Sequence, residues 1–273
     1  MNRKSIGFDI RTALILLCSL VVWLSAWEIF VRGGVLMSSV LPAPDSVIAT
    51  MFSSSFYRNT GRTAILATFS WTLLAWLSGT GLGLLLVAAA LRLKFVTQSL
   101  AFVFLAGRSL PSVVAIPIFA AALGIGRSTG FLCAVFLCVC YSVPTLEESM
   151  SSTAASKRVL REALGLGGWQ ALWLVTMPGI GRAVRAIGVQ SFGIALVVTV
   201  AGEMILSLEN TVGDQVAKLA WLVRMVEVYA LVGWLVICSM GLNVATYVLP
   251  HLFTYPAKRM ALSMESKLES REG

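Results

Sequence analysis

The charged residues of this chain fall in clusters, and between the clusters run apolar stretches of roughly 20 residues or more, the length a helix needs to cross about 30 Å of hydrocarbon. Inside a bilayer every backbone N–H and C=O must find a partner within the protein, which leaves helices and closed barrels as the only spanning structures. Barrel strands alternate apolar and polar residues, whereas these stretches are apolar on every face. The chain is therefore expected to be an all-α membrane protein. Its composition agrees: of 273 residues 58% are apolar and 12% charged, and the mean hydropathy is +0.85, which leaves too little polar surface to coat a soluble domain.

About six spans are predicted, at residues 12–30, 64–90, 97–123, 129–146, 183–206 and 229–252. The excess of Lys and Arg orients them. The connections on the N-terminal side hold fourteen basic residues, among them Arg3, Lys4, Arg11, Lys157 and Lys258; the opposite side holds six, and Arg108 falls inside a span. Basic residues stay in the cytoplasm, so both termini are expected there. The organisation that follows is a cytoplasmic N-terminus (1–11), a membrane domain (12–256) with a long cytoplasmic connection at 147–182, and a cytoplasmic tail (257–273). The basic start followed by an apolar run has the outline of a signal peptide, but the run is long and no small-x-small cleavage site follows, so a retained anchor is expected.

Several function classes are disfavoured by the same residues. The net charge of +8 is spread between spans rather than gathered on one basic face, which argues against nucleic acid as a partner. Cys18, Cys133, Cys138, Cys140 and Cys238 all lie in apolar runs and form neither a disulfide framework nor a spaced metal site. A single histidine, His251, and dispersed acidic residues leave no cluster for a membrane-embedded enzyme, and no G-x-x-x-x-G-K-[ST] loop is present to hold a nucleotide. Gly79, Gly81 and Gly83 imitate a dinucleotide loop, yet they sit in an apolar helix, where small residues let helices approach. No cofactor, metal or catalytic residue is expected on this chain.

The connection at 147–182 carries the most information. Lys157 to Leu164 reads as one short helix, and Trp169, Leu172, Trp173 and Thr176 recur at helical spacing to form a second, with Gly165, Gly167 and Gly168 breaking the chain between them. Such a hairpin must bury its Trp and Leu face, either on its own bundle and the lipid interface or in a socket on a cytoplasmic partner.

Within the spans, Pro111 and Pro117 each remove a backbone donor from the third, so that stretch is expected to be irregular and to line a pathway. Arg108 beside them and Glu203 near the outer end of the fifth span are ionisable residues at membrane depth, each expected to face the interior. Arg108 has two readings, a structural one in which it snorkels or pairs with carbonyls freed by the prolines, and a role in the pathway. Glu203 likewise fits a structural place or an outer gate.

The hairpin resembles the cytoplasmic loop of permease subunits of bacterial binding-protein-dependent ABC importers, whose signature reads E-A-A-x3-G-x9-I-x-L-P. Gly165 is followed after nine residues by Val175, Thr176, Met177 and Pro178; the slot for E-A-A holds Val159, Leu160 and Arg161, and Glu162 and Ala163 come three residues late. Further stretches resemble the nitrate, sulfonate and taurine branch in order: Leu41-Pro42-Ala43-Pro44, Arg108-Ser109-Leu110-Pro111, Ile116-Pro117-Ile118-Phe119, Leu123-Gly124-Ile125-Gly126, and Gly202-Glu203-Met204 with Val212-Gly213. The resemblance implies a type I ABC importer permease fold and two permease subunits side by side. Each docks its hairpin into an ATP-binding subunit that uses ATP and magnesium, and an external solute-binding protein delivers cargo. In that picture Arg161, Glu162, Ala163, Gly165, Trp169, Trp173 and Pro178 couple to the ATPase, while Arg108, Pro111, Pro117 and Glu203 line the pathway or gate. The implied location is the bacterial inner membrane, and the implied cargo a small anion. The alternatives are a carrier of a pyrimidine-like vitamin precursor within the family, or a secondary transporter driven by an ion gradient.

Overall fold

The computed structural model describes residues 10–35, 37–90, 94–163 and 177–246. Among the described residues all regular structure is helical. Helix α1 covers Ile10–Arg32, and α2 covers Pro44–Phe52, opening on a proline whose missing N–H costs nothing in a first turn. After a π-helical turn over Tyr57–Gly61 come α3 (Arg62–Ala90), α4 (Lys94–Ser109), α5 (Ser112–Leu123), α6 (Arg127–Ala163), α7 (Met177–Ile205), α8 (Val212–Trp221) and α9 (Met225–Thr246).

Four of these contain stretches long and apolar enough to cross a membrane: Arg62–Ala89, Arg127–Glu148, Ile187–Ile205 and Met225–Thr246. They coincide with the runs predicted at 64–90, 129–146, 183–206 and 229–252, apart from the C-terminal end of the last, where the described residues stop. Helix α1 covers the run predicted at 12–30. The chain is thus a multi-pass helical membrane protein.

The run predicted at 97–123 is not one straight span. Leu100–Ser109 and Ser112–Leu123 meet at a bend of 116°. The cause is Pro111, which has no N–H to continue the ladder and holds an extended backbone at φ −58°, ψ 122°. Leu110 closes α4 with a bond to Ala106 O at 3.0 Å, and α5 restarts with Val114 N on Pro111 O at 2.9 Å. Pro117, by contrast, sits inside α5 without breaking it.

The connection after the fourth span also differs from expectation. Lys157 to Ala163 is not a separate short helix but the end of α6, which runs unbroken for 37 residues, about 55 Å. Residues 147–163 contain neither Gly nor Pro, so no breaker stops the helix at the membrane surface. Gly165, Trp169 and Trp173 lie outside the described residues.

Helix α6 is the centre of the bundle. Of its apolar window 61% is buried, against 17% for α9, and its Cys133, Ala134 and Leu137 are wholly enclosed with Ala75 of α3, Ile116 of α5 and Val198 of α7. The seam with α3 depends on glycine. A Cβ on Gly79 would overlap Cys138 Cβ and stand 3.0 Å from Val135 O, and one on Gly83 would stand 3.0 Å from Ser142 Cβ; Gly81, on the other face, meets nothing within 4 Å. Gly79 and Gly83 are therefore packing residues at the i, i+4 spacing that puts them on one face. On the α7 side, Trp76 Nε1 donates to Ser191 Oγ at 3.0 Å, and Ser191 Oγ donates to Ile187 O at 2.8 Å, so the polar groups buried there are satisfied.

Candidate functional site

Two places in the bundle gather polar chemistry. The first is the C-terminal end of α7. Glu203 is 3% exposed, and its Oε2 accepts from Thr68 Oγ1 of α3 at 2.8 Å and from the backbone N–H of Gly213 in the first turn of α8 at 3.0 Å. Thr68 Oγ1 in turn accepts from Val212 N at 2.9 Å. One carboxylate and one hydroxyl thus satisfy two of the orphan donors at the start of α8, while its N-cap Thr211 faces a third, Asp214 N, at 3.4 Å. A negative charge is favoured at this end of a helix dipole, and hydrogen bonds to a charged acceptor are worth roughly 1.5–3 kcal/mol each.

The approach leaves no room for a side chain on Gly213, whose Cβ would overlap Val200 O and lie 2.5 Å from Glu203 Cβ. The glycine is what lets the helix start reach the carboxylate. Helix α8 lays Val212 and Leu219 into a cluster with Ala64 and Ile65 of α3 and Leu231 and Leu235 of α9, and the buried Asp214 accepts from Lys218 at 2.7 Å. That ion pair raises the Lys218 pKa, chiefly through the hydrogen bond to Asp214.

Beside Glu203 a small, partly open crevice with space for about one water is lined by Trp71, Phe131, Thr199, Thr211 and Arg127 among others. Trp71 and Phe131 meet edge to face at 5.7 Å. Arg127 starts α6 and donates to Glu209 O at 2.8 Å, tying the loop before α8 to the top of the central helix.

The second place is the break between α4 and α5. Tyr141 of α6 donates its hydroxyl to Arg108 O at 3.0 Å, satisfying one of the carbonyls that α4 leaves open where it ends. The guanidinium of Arg108 stands 5.6 Å from the centroid of the same ring, a cation–π contact. Arg108 is exposed on the surface of the chain, as are Pro111 and Pro117. It faces outward rather than into the bundle, so the expectation of an inward-facing charge holds for Glu203 and not for Arg108.

The remaining predicted residues are apart from both places. Arg161, Glu162 and Ala163 end α6, and Pro178 is the second residue of α7. Sequence reasoning missed Thr68, Thr211, Tyr141 and Arg127. Thr68 is polar in an apolar run, a signal that was present, but its partners are far along the chain.

The chain matches no protein-family model, and comparison with curated proteins finds no match either.

Proposed function

We propose that this chain is the membrane-spanning permease subunit of an ATP-driven, binding-protein-dependent importer, with the six-span type I permease fold. The observation that carries the reading is Arg108. Its neighbour Tyr141 lies about 20 Å along α6 from the outer end of the span at Arg127 and about 10 Å from the inner end at Glu148. A charge exposed at that depth costs up to about 3 kcal/mol against lipid on insertion scales, less where the side chain snorkels to the interface. It faces a watery pathway between this chain and a second permease copy, where the bent α4–α5 pair supplies irregular backbone of the kind tolerated at a cavity wall.

Further support comes from α6. Its fifteen residues beyond Glu148 extend about 22 Å past the span, and a rigid arm of that length transmits displacement where a loop would absorb it. In this reading the arm leads to the hairpin through which an ATP-binding subunit, using ATP and magnesium, drives the bundle between inward-open and outward-open states. An external solute-binding protein delivers a small anion, with sulfonates, taurine and nitrate the favoured class, across the bacterial inner membrane. Both termini are cytoplasmic.

Co-expression with neighbouring genes followed by affinity purification tests this directly: an ATPase is expected to co-purify, and a chain that purifies alone and transports with a proton gradient ends the proposal. Changing Arg108 to Leu is expected to lower anion uptake about tenfold or more, the loss of one charge-assisted contact. Arg108→Lys should keep a measurable part. Protein abundance, followed by immunoblot, should stay near wild type in both; a parallel fall in abundance and uptake would make Arg108 structural.

A further inference from the structure

Three residues among those described hold a left-handed backbone without being glycine: Ser207 at φ 49°, Asn210 at φ 60° and Val223 at φ 56°. All three lie in the two connections that flank α8. Val223 is the least comfortable, because a β-branched side chain rarely adopts this conformation. The turn it occupies leads at once into α9, and the side chains there are open to the surroundings, with Trp221 88%, Leu222 67% and Val223 60% exposed. A short helix flanked by such turns is held in place by what grips it: the polar bonds to Glu203 and Thr68 at its first turn, and the apolar contacts of Val212 and Leu219 along its length.

We propose that α8 is an external gate helix and that Glu203 is its latch: the buried carboxylate at the end of α7, bonded to Gly213 N and to Thr68, holds the helix start down beside the crevice, and its release swings α8 about the turns at 207–210 and 222–223. This rests on the importer reading for what the gate admits and for the side of the membrane it faces. The docked state is favoured by charge-assisted bonds and by the apolar contacts of Val212 and Leu219, and it is opposed by the strained flanks. Opposed contributions of that kind give a two-state element that a modest trigger can tip. The trigger in a working transporter is the movement of α3 against α7, since the latch takes one group from each. Thr211 lines the crevice and N-caps α8, so lifting the helix start opens the crevice towards Trp71 and Phe131.

Two measurements on the full-length chain test the latch and the gate separately. In the first, Thr199→Cys places a thiol in the crevice, and its reaction with a membrane-impermeant maleimide is timed in proteoliposomes. Glu203→Ala should speed labelling about tenfold or more. Glu203→Gln keeps an oxygen for both donors but loses the charge, and its labelling should fall between that of the parent and that of Glu203→Ala. Gly213→Ala, which leaves the carboxylate intact but removes the space for close approach, should speed labelling as Glu203→Ala does, so the test survives poor folding of either variant. Unchanged labelling in both variants overturns the latch.

In the second measurement, Thr68→Cys with Val212→Cys is oxidised to fix α8 onto α3. Uptake by the complete transporter should fall to background on oxidation and return with dithiothreitol to the level of the same double variant never oxidised, and uptake indifferent to oxidation overturns the gate. Should the parent chain show no ATP-dependent uptake, the importer reading fails while the labelling result still decides the latch.

Discussion

Replacing Trp169 and Trp173 together with alanine is expected to lower uptake roughly a hundredfold or more, because two aromatic anchors of an interface are worth about 2 kcal/mol each and every 1.4 kcal/mol is tenfold. Each single change should cost about tenfold or more on the same scale. The reasoning begins with α6. Helix and span are continuous from Arg127 to Ala163, with Pro144 accommodated inside the helix, so a force applied near Ala163 reaches the most enclosed helix of the bundle through a single element. The sequence that follows places its aromatic residues at helical spacing, and a partner that drives the rod must hold something bulky there. Uptake, protein abundance and retention of the ATPase in pull-downs should be measured side by side. The expected pattern is lost uptake and weakened retention with abundance unchanged. Uptake at the parental level in the double variant would remove the hairpin from the mechanism.

Much of the fold was legible because membrane burial writes itself into composition. The runs at 64–90, 129–146 and 183–206 could be read from hydropathy alone, since lipid allows no other solution for so many apolar residues in a row. Glycine spacing was legible too: Gly79 and Gly83 face α6 while Gly81 does not, which favours helix packing over a nucleotide loop. The bend at Pro111 could be anticipated but not its angle, because proline breaks a ladder without dictating how far the next helix turns. Nor could the sequence say that Pro117 would be accommodated within α5. The continuity of α6 was hidden by attention to where apolarity ends. Hydropathy locates the membrane surface, whereas helix termination depends on breakers, and residues 147–163 have none.

The sites were legible in part. Glu203 drew notice as an isolated acid at depth, and its place beside Val212-Gly213 was visible only as a resemblance. The physical link, a glycine that lets a helix start reach a carboxylate, needed coordinates. Thr68 stands 135 residues from Glu203, and nothing in local pattern pairs them. Arg108 shows the opposite failure. A charge expected to face the interior is exposed on the chain, and local pattern does not say which side of a helix a residue takes beside a proline break.

Changing Gly79 to alanine should destabilise the bundle by about 1–3 kcal/mol, the range for overpacking a tight interior, and Gly79→Leu should leave little folded protein. The added Cβ overlaps Cys138 Cβ and crowds Val135 O. Backbone cannot retreat as the far end of a flexible side chain can, so α3 and α6 must separate. That separation would loosen the seam between the two helices on which the core built round Ala75, Cys133 and Leu137 depends. Gly81→Ala is the internal control: it meets nothing within 4 Å, and alanine is the better helix former by about 0.8–1 kcal/mol, so it should be neutral or stabilising. Unfolding of the purified chain in mixed detergent, followed by circular dichroism, gives both values. The clash is with a Cβ, so Cys138→Ala should not rescue Gly79→Ala, whereas Cys138→Gly should recover much of the loss. Equal stability of the Gly79→Ala and Gly81→Ala variants would mean that α3 and α6 do not meet along this face, and the central position of α6 would fall with it.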